Sequence, residues 1–196
     1  MAKNKFTTQI IAGDYKGKKL ELPDLEVTRS SKSIIKESFF NRLQFDIIDV
    51  NFVEFFGGSG SIGLEALSRG AKKVYFFEKD DRSFKTLKSN IELLDPSKCE
   101  AVKGDVFVNF PNILSRLKAQ NEEVYFYADP PFSIREGMDD IYDKTIAMIA
   151  SIPAELVALL AIEHMTGLEL PETIGGLSLL KSKKFGKTTL TYYERS

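Results

Sequence analysis

A stiff acidic tetrapeptide and a glycine loop are the two parts of this sequence that could do chemistry. Asp129-Pro130-Pro131-Phe132 follows the apolar run at 124–128. Tandem prolines after a buried strand are costly unless the chain needs a rigid exit there. On such an exit the Asp129 carboxylate and the Pro130 carbonyl are two acceptors held close together. They can take both N–H hydrogens of one planar NH₂ group and stabilise positive charge growing on its nitrogen. An aromatic amine needs that help, because its lone pair is delocalised into the ring. Phe132 can stack on a flat base and fix its plane. A sulfonium methyl donor is already activated, so proximity and orientation supply most of the acceleration. The bland reading of the same tetrapeptide is a loop with an N-capping aspartate.

Gly57-Gly58-Ser59-Gly60-Ser61-Ile62-Gly63 lies between an apolar run and a helical pattern. Gly58, Gly60 and Gly63 satisfy G-x-G-x-x-G, in which missing Cβ atoms and free helix N–H groups admit a nucleotide cofactor. Glu78 closes the next strand, where a carboxylate can accept from both ribose hydroxyls of NAD or of S-adenosylmethionine. Asp105 closes the third, placed to accept from an adenine amino group or to cap the following helix.

The elements that must position these residues follow from periodicity. Thr7 to Pro23 reads as a small β-hairpin turning at 13–17. Ser30 and Ser31 can cap a helix whose Ile35, Phe39 and Leu43 form one apolar stripe. Strands at 52–56, 73–77, 99–102, 124–128 and 156–162 then alternate with helices at 62–68, 81–94, 106–118 and 141–149, which implies an open α/β sheet. The stretches 177–184 and 188–194 flank Phe185-Gly186-Lys187 as a terminal hairpin.

Composition narrows the classes. The 196 residues, 43% hydrophobic and 28% charged, suit one ordinary globule. Cys99 and His164 are the single cysteine and histidine, which excludes disulfide frameworks and Cys/His metal clusters. Cys99 reads as core and His164 as structural or surface. No apolar run approaches a membrane span and no signal region follows Met1, so the expectation is a cytoplasmic protein. Net charge is −1, but residues 1–42 carry nine basic and five acidic side chains, and the C-terminal stretch is basic again. Basic ends with interleaved aromatics fit a polyanion such as RNA, although lysines on exposed hairpins need no partner.

The residues resemble a known family. Phe55-Phe56-Gly57-Gly58-Ser59-Gly60 with Asp129-Pro130-Pro131-Phe132 is similar to the class I S-adenosylmethionine-dependent amino-methyltransferases. Ile11-Ala12-Gly13-Asp14-Tyr15-Lys16-Gly17-Lys18-Lys19-Leu20, Lys36-Glu37-Ser38-Phe39-Phe40-Asn41 and Gly63-Leu64-Glu65-Ala66-Leu67-Ser68-Arg69 narrow the resemblance to the RsmD-type 16S rRNA guanine-N2 methyltransferases. The resemblance implies a Rossmann-like seven-stranded α/β sheet with helices on both faces and its last strand antiparallel. It divides the chain into an N-terminal hairpin extension (1–28) and a methyltransferase domain (29–196). It implies that Gly57, Gly58 and Gly60 contact the methionine part of S-adenosyl-L-methionine, with Glu54 in place of the family's usual aspartate. Glu78 would bind the ribose, Asp105 and Val106 the adenine. Asp129, Pro130 and Phe132 would hold the target guanine, swung out of its stack. Arg29 and Lys36 match the family's RNA-contacting stretch, and Lys16 and Lys18 are further expected RNA contacts. The expected partner is 16S rRNA in an assembled or assembling small ribosomal subunit, met by a monomer with no metal and no membrane. The alternatives are a DNA or tRNA amino-methyltransferase (adenine-N6 or guanine-N2), a binding module without catalysis, and an NAD-type dehydrogenase.

Overall fold

The computed structural model describes residues 6–23, 29–131 and 140–196, without the side chains of residues 29–31. Phe132 and Asp139 lie outside the described residues, as does the Arg29 side chain.

Sheet and helices alternate as the periodicity predicts. β1 (Thr7–Gln9) and β2 (Lys19–Glu21) form the N-terminal hairpin. α1 (Arg29–Leu43), β3 (Asn51–Glu54), α2 (Ser61–Ser68), β4 (Val74–Glu78), α3 (Asp81–Glu92), β5 (Cys99–Lys103), α4 (Val106–Gln120), β6 (Val124–Ala128), α5 (Ile141–Ala150) and β7 (Val157–Met165) follow. The chain finishes with β8 (Thr173–Ile174), β9 (Leu177–Phe185) and β10 (Thr188–Arg195). One expectation shifts: α1 begins at Arg29, so Ser30 and Ser31 lie in its first turn rather than at its cap.

The sheet order is β5-β4-β3-β6-β7-β10-β9-β8. The strands from β3 to β7 pair in parallel, and β10 runs antiparallel between β7 and β9. Seven strands carry the sheet, as expected, and the two-residue β8 adds a short eighth at the β9 edge. The chain leaves β3 toward β4 and β5, then crosses back to β6 on the other side of β3. That reversal opens a crevice at the carboxyl ends of the strands, where open α/β sheets bind ligands.

Both faces of the sheet are covered, which is why its inner strands are continuous apolar runs. Alternate residues serve opposite layers. Phe52, Val74, Phe76, Tyr125 and Tyr127 join α1, α2 and α3 in one apolar cluster. Val53, Phe55, Tyr75, Phe77 and Phe126 join α4 and α5 in the other. No helix among the described residues is long and apolar enough to cross a membrane.

The N-terminal hairpin shares the first cluster through Ile10 and Leu20, both fully buried. Its fastening is polar and specific. The buried Glu65 of α2 accepts from Ile11 N (2.8 Å, Oε2) and Ala12 N (3.0 Å, Oε1). The Arg69 guanidinium (2.9 Å) and the Lys36 ammonium (3.6 Å) neutralise it. Gly13, at φ +85°, lies so close that an added Cβ would stand 1.7 Å from the Ser68 carbonyl oxygen. On α3 the buried Asn90 accepts from Glu21 N (2.9 Å) and donates to the carbonyls of Glu21 (2.9 Å) and Ser59 (2.8 Å). One amide thus ties the hairpin to the glycine loop. His164 is buried with Nε2 2.8 Å from Thr191 Oγ1, a structural residue of the β7–β10 pair.

Candidate active site

Parallel strands bring their ends to one edge, and four acidic side chains arrive there together. Glu54 ends β3, Glu78 ends β4, Asp105 follows β5 and Asp129 follows β6. All four line a single cleft of about 1370 Å³, together with Gly57, Gly58 and Val106.

The glycine loop forms one wall. Gly57 N donates to the Phe77 carbonyl (2.7 Å) and Gly58 N to Glu78 Oε2 (2.8 Å). A Cβ added at Gly58 would meet nothing within 4 Å, so this position opens onto the cleft. Gly60 departs from the expectation. It is not among the cleft-lining residues. It sits at φ +79° as the cap of α2, where a Cβ would stand 2.5 Å from Leu87 Cδ1. Its missing side chain serves packing of α3 on the loop. Gly63 does the same against Phe76, whose ring a Cβ would approach to 2.4 Å.

Each carboxylate has a distinct setting. Glu54 is buried, and burial pushes its carboxyl up to about 8, with Asp129 adding to the rise. N–H donation from Gly63 (2.9 Å) and Ile62 works against it. Burial also raises Glu78, opposed by the N–H groups of Asp80 (2.6 Å) and Gly58. Asp105 caps α4, accepting from Phe107 N at 3.0 Å, while Lys79 Nζ lies 3.3 Å from its other oxygen. Its capping and cleft-lining roles hold together. Val106 stands directly behind it, buried at the cleft wall.

Asp129 keeps its side chain 29% exposed, whereas Glu54 and Glu163 are buried. Its Oδ2 is in contact with the Lys32 ammonium from α1. Lys32 Nζ also lies 2.9 Å from Oε1 of Glu163 on β7. Glu163 is buried, and its Oε2 accepts from the Tyr127 hydroxyl at 2.8 Å. Burial and Asp129 raise the Glu163 carboxyl, against Lys32 and Tyr127. Burial opposes the charge on Lys32, but Asp129 and Glu163 outweigh it and hold the ammonium well above the usual lysine range. Pro130 is buried and Pro131 lines the cleft.

The residues expected to meet RNA divide. Lys16 and Lys18 are exposed in the N-terminal turn. Lys36 does not fit that expectation. It is buried, its ammonium donates to the Gln9 carbonyl (2.8 Å) and faces Glu65, and burial lowers its pKa. It holds the hairpin on the domain. Lys32 and Glu163, which sequence reasoning did not assign to the site, complete the Asp129 corner. Cys99 is half-buried, and burial pushes its thiol up to about 12, which suits packing and not nucleophilic attack.

The arrangement can hold a nucleoside-bearing ligand against carboxylates at the ends of β3, β4 and β5, and present a second, flat ligand to an acidic corner beside it. Residues 8–194 match the family model described as conserved hypothetical protein 95. The Escherichia coli K12 ribosomal RNA small subunit methyltransferase D is 30% identical over 190 residues, covering 95% of this chain and 89% of that protein. Its Haemophilus influenzae namesake is 37% identical over 131 residues, 65% of each chain. The solved structure of the Escherichia coli yhhF protein superposes with a TM-score of 0.74 at 28% identity, covering 97% of this chain and 99% of that one.

Proposed function

The chain belongs to the RsmD-type family described as conserved hypothetical protein 95, and from that membership and the cleft geometry we propose that it methylates the exocyclic N2 amine of a guanine in 16S rRNA. S-adenosyl-L-methionine is its cofactor. The observation that carries the reading is the presence of Asp129 in the same cleft as Glu78 and Asp105.

The residues present fit the cofactor. The cleft is large enough, the Gly58 backbone is open to it, and acidic acceptors stand at successive strand ends. Gly57 and Gly58 would take the methionine part, with Glu54 at its ammonium. Glu78 would accept from the ribose hydroxyls, and Asp105 and Val106 would hold the adenine. When bound, the cofactor supplies a methyl group already activated on sulfur. The chain's own work is then orientation. Asp129 and the Pro130 carbonyl accept the amine's hydrogens and stabilise charge developing on nitrogen. Phe132 stacks on the base.

The RNA face follows from charge. Lys16 and Lys18 are exposed on the N-terminal hairpin, and Arg29 is a further proposed RNA contact. At the far end of α1, Arg42 shares a groove with Lys181, Lys183 and Phe185 of the β9–β10 hairpin. Lysines beside an aromatic ring suit an RNA backbone with an unstacked base.

The test is transfer of labelled methyl groups to free 16S rRNA and to small subunits, both from cells lacking the gene, followed by nucleoside analysis. N2-methylguanosine in 16S rRNA is expected. Label on adenosine, label confined to tRNA or DNA, or no label overturns the reading.

Cofactor binding carries a proton signature. Glu54 holds its proton at pH 7 in the free protein, because its carboxyl titrates at about 8. An ammonium seated beside it favours the ionised form, so binding expels about one proton. The affinity for S-adenosylhomocysteine should therefore rise with pH by up to about tenfold per unit between pH 6 and 8. Calorimetry in buffers of different ionisation enthalpy reads the released proton directly. Glu54→Gln should remove the pH dependence.

A further inference from the structure

Asp129 leaves β6 on a prolyl exit that stiffens its backbone but not its side chain. The side chain is fixed from elsewhere. Its Oδ2 meets the Lys32 ammonium, which is held in turn by Glu163 Oε1 at 2.9 Å. Glu163 is itself fixed by the Tyr127 hydroxyl at 2.8 Å, and Tyr127 is fully buried in the sheet core. The result is an unbroken line from the core to the acidic corner: Tyr127, Glu163, Lys32, Asp129.

Strand register explains the line. Ala128 of β6 pairs with Ile162 of β7, so the next residues, Asp129 and Glu163, emerge side by side. Two carboxylates side by side at a half-dry edge repel unless a cation stands between them. Lys32 of α1, 97 residues away in sequence from Asp129, supplies it. The contact takes one carboxylate oxygen of Asp129. A substrate amine needs the other.

We propose that Lys32 is a positioning residue for the transfer reaction, an ammonium anchored by the buried Glu163–Tyr127 pair that orients the Asp129 carboxylate toward the substrate amine. The proposal rests on the reading of Asp129 as the amine's acceptor. Lys32 acts through Asp129 and needs no contact with the reacting atoms. Other titratable groups are within electrostatic reach of the corner. Glu54 on β3 feels both Asp129 and Lys32, and Tyr142 on α5 feels Asp129, Glu163 and Lys32. Without the ammonium, three carboxyls (Asp129, Glu163 and Glu54) and two phenols (Tyr127 and Tyr142) would surround the corner with no cation among the described groups in contact with Asp129. The carboxyls would then share protons, and a shared proton is carried by an acceptor the amine needs bare.

The experiment compares wild type, Lys32→Met, Lys32→Arg and Lys32→Met/Glu163→Gln, using the full chain, labelled cofactor and the RNA substrate. Lys32→Met is expected to lower kcat at pH 7 by about tenfold or more, with the KM for cofactor changed less than about threefold. The deficit should narrow toward pH 9, because the acid limb of the rate profile moves up by about one unit or more. Lys32→Arg should restore most of the rate. A thermal melt across pH provides a readout separate from turnover. Burial without its cation raises Glu163 further in the folded state, so Lys32→Met should lose stability relative to wild type as pH rises from about 5. The double variant removes both charges and should recover that stability but not the rate.

Wild-type kcat and pH profile in Lys32→Met would overturn the proposal. So would a rate loss equal at every pH, unrelieved by Lys32→Arg and matched by the double variant's stability, which marks a scaffold role only. Wild-type transfer on its own decides the functional reading: with no transfer in wild type, that reading falls and this proposal with it. With transfer in wild type, the variants decide Lys32 alone.

Discussion

Asp129→Ala is expected to slow methyl transfer about 10²–10³-fold, the range seen when one preorganised hydrogen-bonding group is removed from a charge-stabilising site. The affinity for S-adenosylhomocysteine should not fall by more than about twofold, because the cofactor contacts proposed for Glu54, Glu78 and Asp105 lie on other strands, and losing Asp129 removes a charge that opposes ionisation of Glu54. Asp129→Asn separates two contributions. Its amide keeps a carbonyl acceptor for the amine, and it leaves Lys32 paired with Glu163 alone. A loss smaller than that of Asp129→Ala is expected. Single-turnover transfer with saturating cofactor measures both, and near wild-type turnover in the alanine variant would remove Asp129 from the mechanism.

The largest effect on stability should come from Glu65→Ala. Glu65 is fully buried and collects two backbone N–H groups, a guanidinium and an ammonium. Removing it strands the buried Lys36 charge and leaves Ile11 N and Ala12 N without their acceptor. Breaking one side of a buried pair in this way costs about 3–5 kcal/mol. At about 2–4 °C per kcal/mol for a chain of this size, the melting temperature should fall by roughly 10–15 °C. Glu65→Ala/Lys36→Met removes the uncompensated charge and should recover part of the loss. Calorimetry or a dye-based melt checks both. The hairpin should also become the first target of limited proteolysis, since Glu65 is its main polar fastening.

Much of the site was legible because strand ends are legible. Strand patterns that stop at Gly57, Glu78, Asp105 and Asp129 announce a parallel sheet whose ligand-facing edge carries those residues. What the sequence hides is contact across long separations. Lys32 reads as one more lysine in a basic segment, and nothing in its neighbourhood signals two carboxylates at the ends of β6 and β7. Lys36 was expected to reach RNA because it matches the RNA-contacting stretch of the family the sequence resembles. Its position between Ile35 and Phe39 on the stripe side of α1 was the available hint of burial, as the acidic Glu65 among the apolar residues of α2 was. Gly60 fits the dinucleotide fingerprint, yet a fingerprint does not separate a glycine that admits a ligand from one that admits Leu87. β8 has two residues, too few to show any period, and Ser30 and Ser31 offered good capping chemistry but lie inside the first turn of α1.

The Asn90 amide has a consequence for any attempt to treat this protein as modular. It grips the hairpin at Glu21 and the glycine loop at Ser59 with one planar group. A chimera given another relative's hairpin would inherit a disturbance in the loop proposed to cradle the methyl donor, so an exchange meant to alter the proposed RNA contacts should also shift donor affinity.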